Sequence, residues 1–119
     1  MKGEQYLNKP GDFARVQQGK RWGGGLVVIK SCSNGLIQAR YGFIVSKRVG
    51  KAVVRNRVKR RLREIVMRLN LKPGTDTVLS ARPQAAQAEY GALKTDVLNR
   101  LAQAGLLARD DKNNCSVDD

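Results

Sequence analysis

The fold of this chain is decided by residues 46–69, SKRVGKAVVRNRVKRRLREIVMRL. Ten cations and the single acid Glu64 give this stretch a charge of +9, out of +13 for the whole chain. Like charges three and four residues apart on a helix repel by a few tenths of a kcal/mol per pair, so the stretch favours an anionic partner. The cations are Lys47, Arg48, Lys51, Arg55, Arg57, Lys59, Arg60, Arg61, Arg63 and Arg68.

The same stretch predicts an amphipathic helix from about Lys51 to Asn70. At 100° per residue its apolar side chains fall within an arc of roughly 120°, which is the stripe of a helix that packs on a core. The basic side chains occupy most of the remaining circumference, with Asn56 in the middle of the basic side. An ordinary solvated face mixes charges of both signs, and this one hardly does. The apolar stripe consists of Val54, Val58, Leu62, Ile65, Val66 and Leu69.

Length and composition predict one basic domain over residues 1–109, followed by a disordered acidic tail over residues 110–119. The sequence pI of about 10.5 indicates a polyanionic partner, most simply a nucleic acid. No apolar run approaches the roughly 18 residues that span a membrane, so we expect a cytoplasmic protein without membrane contact. The two cysteines, Cys32 and Cys115, do not form a disulfide framework and suit a reducing compartment.

Catalytic side chains are hard to find in this sequence. Histidine is absent, no Cys/His cluster has the spacing of a zinc site, and no Walker-type loop is present. The acids outside the tail are scattered singly. We therefore predict no catalytic residue, no protein-bound metal site and no organic cofactor.

The remaining elements are predicted from turn and strand signals. A short helix is expected between the cap Asn8 and Gly19, with Phe13 and Val16 on one face. Residues 20–25 look like a basic, glycine-rich connector.

A strand over residues 26–32 is followed by Asn34–Gly35, which predicts a hairpin to a second strand over residues 36–46. One face of that second strand should meet the long helix, and the other is expected to form the floor of a groove. The first face comprises Ile37, Ala39, Tyr41, Phe43 and Val45; the second comprises Gln38, Arg40, Gly42, Ile44 and Ser46.

A third strand over residues 77–81 and a last helix from Gln84 or Glu89 to Leu107 complete the prediction. The predicted order is α-β-β-α-β-α. We expect a single α+β layer domain in which a small sheet packs against helices.

Residues 40–64, RYGFIVSKRVGKAVVRNRVKRRLRE, closely resemble the protein subunit of bacterial ribonuclease P. The match centres on Arg55-Asn56-Arg57 followed by Lys59-Arg60-Arg61. It extends to GDFARV at residues 11–16 and LSARP at residues 79–83, and covers most of the chain.

The resemblance implies a small basic protein that joins a large catalytic RNA. That complex, the ribonuclease P endoribonuclease, removes the 5′ leader from precursor tRNA by hydrolysis. Mg²⁺ would be bound mainly by the RNA subunit, the protein alone would be inactive, and no obligate protein partner is implied. The family fold also implies a left-handed βαβ crossover, against the usual right-handed preference.

Two sets of site residues carry over from the family. The departures from the pattern are Gln17, where an aromatic residue is frequent, and Lys30, where some members have tyrosine; both shift leader binding from stacking towards charge and hydrogen bonds. The RNA-subunit set is Lys47, Arg48, Lys51, Arg55, Asn56, Arg57, Lys59, Arg60, Arg61 and Arg63; the leader-cleft set is Phe13, Gln17, Lys30, Arg40 and Ser46.

Four other functions share parts of this evidence. A structured-RNA-binding protein, such as a ribosomal protein, shares the charge but not the specific motif. A DNA recognition helix rarely carries charge around two-thirds of its girth. A membrane-surface helix needs bulky apolar residues where this one has mostly valine. An autonomous nuclease lacks a base or metal site. We expect alanine at Arg55 and Arg57 to weaken assembly with RNA while leaving the fold intact.

Overall fold

The computed structural model describes Leu7 and residues 10–107. The predicted cap Asn8, the tail over residues 110–119 and Cys115 lie outside the described residues. Single turns of 3-10 helix occupy Lys47–Val49 and Pro83–Gln87. The main elements are α1 (Pro10–Gln17), β1 (Lys20–Gly23), β2 (Val27–Ser33), β3 (Arg40–Ile44), α2 (Ala52–Met67), β4 (Thr75–Ala81) and α3 (Tyr90–Ala104).

The four strands form one mixed sheet in the order β1-β2-β4-β3. β2 is antiparallel to both β1 and β4, whereas β3 and β4 are parallel and are joined by α2 as a βαβ crossover. The sheet and its helices confirm the predicted α+β class; the left hand of the crossover stays an implication of the resemblance.

The predicted hairpin between β2 and β3 is wrong, because β4 lies between these two strands. The Asn34–Gly35 turn bonds instead to the loop before β4: Asn34 N donates to Gly74 O (3.0 Å), and Gly74 N donates to Gln38 O (3.3 Å). These bonds delay the start of β3 until Arg40. Ile37, predicted to face the long helix, is consequently 90% exposed.

The predicted connector at residues 20–25 contains the edge strand β1, so the observed order is α-β-β-β-α-β-α. β1 pairs with β2 from Lys20 opposite Ser31 to Gly23 opposite Val28. Its glycines lie at the end of the strand and in the following turn, which leaves KRW free to pair. Trp22 packs partly buried against the main core.

The main core fills the space between one face of the sheet and the helices α2 and α3. Ile29, Tyr41 and Leu79 from the sheet belong to the same buried cluster as the apolar stripe of α2. The stripe prediction is confirmed: Val58, Leu62, Ile65 and Val66 are at most 1% exposed, and Val54 and Leu69 pack partly buried against the core. α3 contributes Leu93, Val97 and Leu101. Because the apolar stripe of α2 is buried against the core, the basic side of this helix faces outward.

α1 covers part of the opposite face of the sheet. Leu7, Val16 and Val78 form a second, smaller cluster, against which Phe13, Cys32 and Ile44 pack. α1 therefore covers some of the predicted groove floor, and the remainder stays open. No helix within residues 10–107 is long and apolar enough to cross a membrane.

Candidate nucleic-acid interface

The outer side of α2 and the turn before it carry cations without compensating acids. Within Leu7 and residues 10–107, the four ion pairs join only Arg15 and Arg40 to Asp12 and Asp76. Glu64 on α2 is exposed and pairs with none of the described cations. We call this face of the helix and turn the basic surface. Its exposed members are the cations Lys47, Arg48, Lys51, Arg60 and Arg63 and the neutral Asn56, and Lys59 is half-buried.

Three arginines predicted to contact RNA are also anchored within the protein. Arg55 Nε donates to Gly50 O (3.1 Å). Arg57 Nη2 donates to Ala86 O and Arg61 Nη1 to Ala88 O, both at 3.1 Å. Replacing Arg55 and Arg57 by alanine removes these bonds as well as two charges. That double variant therefore does not isolate RNA binding, and the exposed pair Arg60 and Arg63 is the better choice.

Three of the predicted leader-cleft residues lie near α1 and the sheet face that it covers. Lys30, Val78 and Gly42 lie in one row across β2, β4 and β3. The ring of Phe13 lies over this row: a Cβ at Gly42 would be 2.7 Å from Phe13 Cζ. Lys30 Nζ donates to Gln17 Oε1 at 2.5 Å. The structure thus places Phe13, Gln17 and Lys30 on the same side of the sheet, with Gln17 bonded to Lys30.

Arg40 is placed differently from the other predicted cleft residues. Its Nε donates to Asp76 Oδ1 (2.9 Å) and its Nη2 to Asp76 Oδ2 (2.8 Å). Arg15 Nη2 and Asn34 Nδ2 donate to the same fully buried carboxylate, at 2.5 and 2.8 Å. The guanidinium of Arg40 therefore ties the start of β3 to β4 and α1.

Electrostatics in this buried cluster favour the charged forms. Burial raises the pKa of Asp76, but hydrogen bonds from Arg40, Asn34 and Arg15 outweigh it and hold that pKa below its ordinary value. The hydrogen bond to Asp76 raises the pKa of both Arg15 and Arg40. The cluster is a satisfied structural unit rather than a proton-transfer site.

Ser46, the fifth predicted cleft residue, lies just after β3 and is exposed. Its Oγ accepts a hydrogen bond from Arg48 N (3.3 Å), which caps the turn at residues 47–49. Ser46 thus lies at the opposite end of β3 from Arg40.

The sequence analysis missed three polar residues of this open sheet face: Arg21, Ser80 and Arg82. Arg21 pairs with Lys30, and Ser80 lies between Val28 and Ile44 in the next row. The signal that would have found them is the strand register. It was hidden because β1 was interpreted as a connector and β4 was not placed beside β2.

Comparisons with known proteins agree with this geometry. The family described as Ribonuclease P matches residues 1–105. The Ribonuclease P protein component of Thermus aquaticus is 44% identical over 107 residues, covering 88% of this chain and 64% of that protein. That of Dehalococcoides mccartyi strain CBDB1 is 39% identical over 113 residues, covering 94% of each.

Solved structures give the same result. A Staphylococcus aureus RNase P protein mutant superposes with a TM-score of 0.82 at 26% identity, covering 87% of this chain and 91% of that one. The Thermotoga maritima RNase P protein gives 0.74 at 28% identity, covering 82% and 96%.

Fold and surface define a small basic α+β protein with one helix face suited to a polyanion. The chain belongs to the ribonuclease P protein family, as the resemblance indicated. It spans slightly less than two thirds of the length of the Thermus aquaticus relative.

Proposed function

We propose that this chain is the protein component of ribonuclease P, and that its basic surface binds the catalytic RNA. The observation that carries the proposal is the basic surface itself. Its cations are held outward by a buried apolar stripe and meet no carboxylate within the described residues. Such a surface is stabilised by an anionic partner of matching extent.

RNA phosphates are the anions that this surface fits. Each phosphate neutralised releases counterions and contributes roughly 0.7–0.9 to the slope of log affinity against log salt. Arginine predominates, and its planar guanidinium binds phosphate oxygens in pairs. Asn56, exposed between Arg55 and Arg57, both donates and accepts, which suits a ribose 2′-hydroxyl.

The open sheet face beside α1 is proposed to bind the single-stranded 5′ leader of precursor tRNA. The half-buried ring of Phe13 offers a surface for base stacking, and Lys30, held by Gln17, offers a charge to the leader backbone. Stacking with one aromatic residue is weaker than with two, so charge contributes a larger share of leader affinity here.

The protein's contribution to cleavage is positioning and charge. Hydrolysis is assigned to the RNA subunit with its Mg²⁺, as the resemblance to the family implies. The cations of α2 and of the sheet face lower the repulsion where the two RNAs meet, which raises substrate affinity and lowers the Mg²⁺ requirement. The expected location is the cytoplasm, where tRNA precursors are processed.

Reconstitution tests this function. The protein is added to a bacterial ribonuclease P RNA at low Mg²⁺, and cleavage of the 5′ leader is followed. We expect stimulation by the wild type, and a loss of RNA affinity in Arg60→Gln/Arg63→Gln together with a salt slope smaller by roughly 1.4–1.8. The single variant Lys94→Gln, on the exposed side of α3, is a control for loss of surface charge.

The outcome separates this function from that of a structured-RNA-binding protein without a role in cleavage. Tight RNA binding without any stimulation of leader removal would favour that second class. Equal RNA affinity of the wild type and the double variant would contradict the proposed surface.

A further inference from the structure

A cavity of about 300 Å³ opens at the C-terminal end of α2, between that helix, the segment leading into β3 and the turn before β4. Its buried lining includes Tyr41, Val66 and Leu71. Its exposed lining includes Ile37 and Met67, which are 90% and 61% exposed. We call this space the α2-end cavity.

Hydrogen bonds hold the walls of the α2-end cavity in place. In the segment before β3, Gln38 O accepts from Gly74 N (3.3 Å) and from Asn34 Nδ2 (3.2 Å). The turn before β4 is bonded in addition to the segment after α3, because Lys72 N donates to Leu106 O (2.6 Å). The fold itself therefore forms the cavity, and a ligand does not have to order its walls.

The lining of this cavity concentrates exposed apolar surface. The described part of the chain leaves four large apolar side chains exposed, and two of them, Ile37 and Met67, line the α2-end cavity. Single exposed apolar side chains are ordinary, whereas several at one concave site are typical of a binding site. The cavity therefore favours a ligand with an apolar face, which would remove this surface from water.

The α2-end cavity also continues the basic surface. Met67 follows Arg63 by four residues and Arg60 by seven, which places it within about 40° of each of them around the helix. The exposed cations Arg68 and Lys72 follow closely in the sequence and pair with no carboxylate among residues 10–107. An RNA that lies along the basic surface therefore reaches the cavity, with further cations nearby for its phosphates.

A nucleobase is the part of an RNA whose chemistry fits this cavity. It has flat apolar faces and a polar edge, and sequence-specific recognition of RNA mostly uses unpaired bases. Ile37 and Met67 suit the faces, and the exposed lining residue Asn70 has an amide that both donates and accepts at the edge. A second copy of this chain fits less well, because its charge of +13 would be brought against the cations of α2.

We propose that the α2-end cavity binds one unpaired nucleobase of the RNA that lies along the basic surface. This inference rests on the proposed function, because it requires that α2 binds RNA. It adds recognition of a base to a surface that was argued from phosphate contacts. It also places that recognition at the other end of α2 from Arg55-Asn56-Arg57.

The double variant Ile37→Ala/Met67→Ala is the main test. Both side chains are exposed, so their replacement should leave the fold unchanged, which urea denaturation verifies. Leu36→Ala/Val53→Ala is the matched control. It removes the other two exposed large apolar side chains, neither of which lines the cavity.

The first measurement is the affinity for a bacterial ribonuclease P RNA at several salt concentrations. We expect Ile37→Ala/Met67→Ala to bind roughly five- to tenfold more weakly, because apolar contact with the base is lost. Its salt slope should equal that of the wild type, because no phosphate contact is lost. The control should match the wild type in both quantities.

The second measurement is chemical probing of the RNA in the complex. Dimethyl sulfate modifies unpaired adenine and cytosine, and a carbodiimide modifies unpaired uracil and guanine, so the two reagents together report on every base. The wild-type protein should protect an unpaired base that becomes reactive again in Ile37→Ala/Met67→Ala. The rest of the protected region should be the same with both proteins.

The site would be overturned by unchanged affinity or a smaller salt slope in Ile37→Ala/Met67→Ala, by an equal loss in the control, or by the absence of such a base. Tighter RNA binding by the cavity variant would assign the cavity to a competing segment such as residues 108–119, which follow Leu107, the partner of Leu71. A wild-type dimer that this variant dissociates would assign it to a second copy. Either result would also overturn the site.

Failure of the proposed function would be recognised separately. It would appear as a wild-type protein that does not bind the RNA, or as equal affinity of the wild type and Arg60→Gln/Arg63→Gln. Both comparisons are made before the cavity variants are measured.

Discussion

Arg57 Nη2 donates a hydrogen bond of 3.1 Å to the carbonyl oxygen of Ala86, which ties α2 to the segment leading into α3. Arg61, one turn further on, does the same with Ala88. The helix that carries the family motif thus uses two of its arginines to fix its own position. Arg60 and Arg63 remain exposed for a partner.

Alanine at Arg57 is expected to lower the free energy of unfolding by about 1–2 kcal/mol, because the hydrogen bond from the charged guanidinium to the carbonyl oxygen of Ala86 is lost. Arg60→Ala should change it by less than about 0.5 kcal/mol, as is usual for a surface site. Urea denaturation of both variants checks this. Equal stability of the two would show that the Arg57–Ala86 bond contributes nothing.

Replacing Asp76 by asparagine is expected to destabilise the fold by roughly 3 kcal/mol. This value is at the low end for breaking a buried pair, because Arg15 and Arg40 keep some access to water. Asp12→Asn serves as the control, since Asp12 contacts the same arginines only at 3.6 Å. A smaller effect for Asp76→Asn than for Asp12→Asn would contradict the central role of Asp76.

Acid should remove the same contribution in the wild type. The pKa of Asp76 is lower in the fold than in the unfolded chain, where it is about 3.9, so its stabilising effect is complete above that value and is lost as the pH falls through the folded pKa. Denaturation from pH 7 to pH 2 should show the wild type approaching Asp76→Asn in stability. A constant difference across this range would be inconsistent with ionisation of Asp76.

Alanine at Gly42 should displace the ring of Phe13. The new methyl group would lie 2.7 Å from Phe13 Cζ and 2.8 Å from Cε1, which forces α1 or the ring to move at a cost of about 1–3 kcal/mol. Near-ultraviolet spectra and denaturation report the movement. Gly91→Ala, on the exposed start of α3 with open space around it, is the control and should not destabilise.

Tyrosine at Lys30 is expected to exchange a charge for a stacking surface. Leader affinity should become less salt-dependent, with a slope smaller by roughly 0.7, while stacking worth about 1–3 kcal/mol per base compensates for the lost contact. Leader-length series at two salt concentrations measure both terms. An unchanged salt slope would place Lys30 outside the leader path.

Much of the fold was predictable because two signals indicate which side of α2 is buried. One is the apolar stripe, and the other is the distribution of charge. Val58, Leu62 and Ile65 recur with helical spacing. A helix buries all three on one side and leaves Arg60 and Arg63 exposed. The motif around Asn56 then indicated the family.

The strand order was not predictable from local signals. Asn34–Gly35 has the composition of a hairpin turn, but the partner of β2 is β4, more than 40 residues away along the chain. Pairing over that distance is decided by burial of Ile29 and Leu79 in the common core rather than by the turn. Arg21 lies beside Lys30 through the separate pairing of β1 with β2, which was not predicted because β1 was interpreted as a connector.

The position of β4 also has a consequence for synthesis of the protein. β2 and β3 both emerge from the ribosome before residues 75–81. Neither can pair with β4, the strand that lies between them, until those residues follow. During that interval the nascent chain exposes the valine-rich seam of α2 and its arginines together. We expect prompt translation through β4 to shorten the exposure of these surfaces to aggregation and to unrelated RNA.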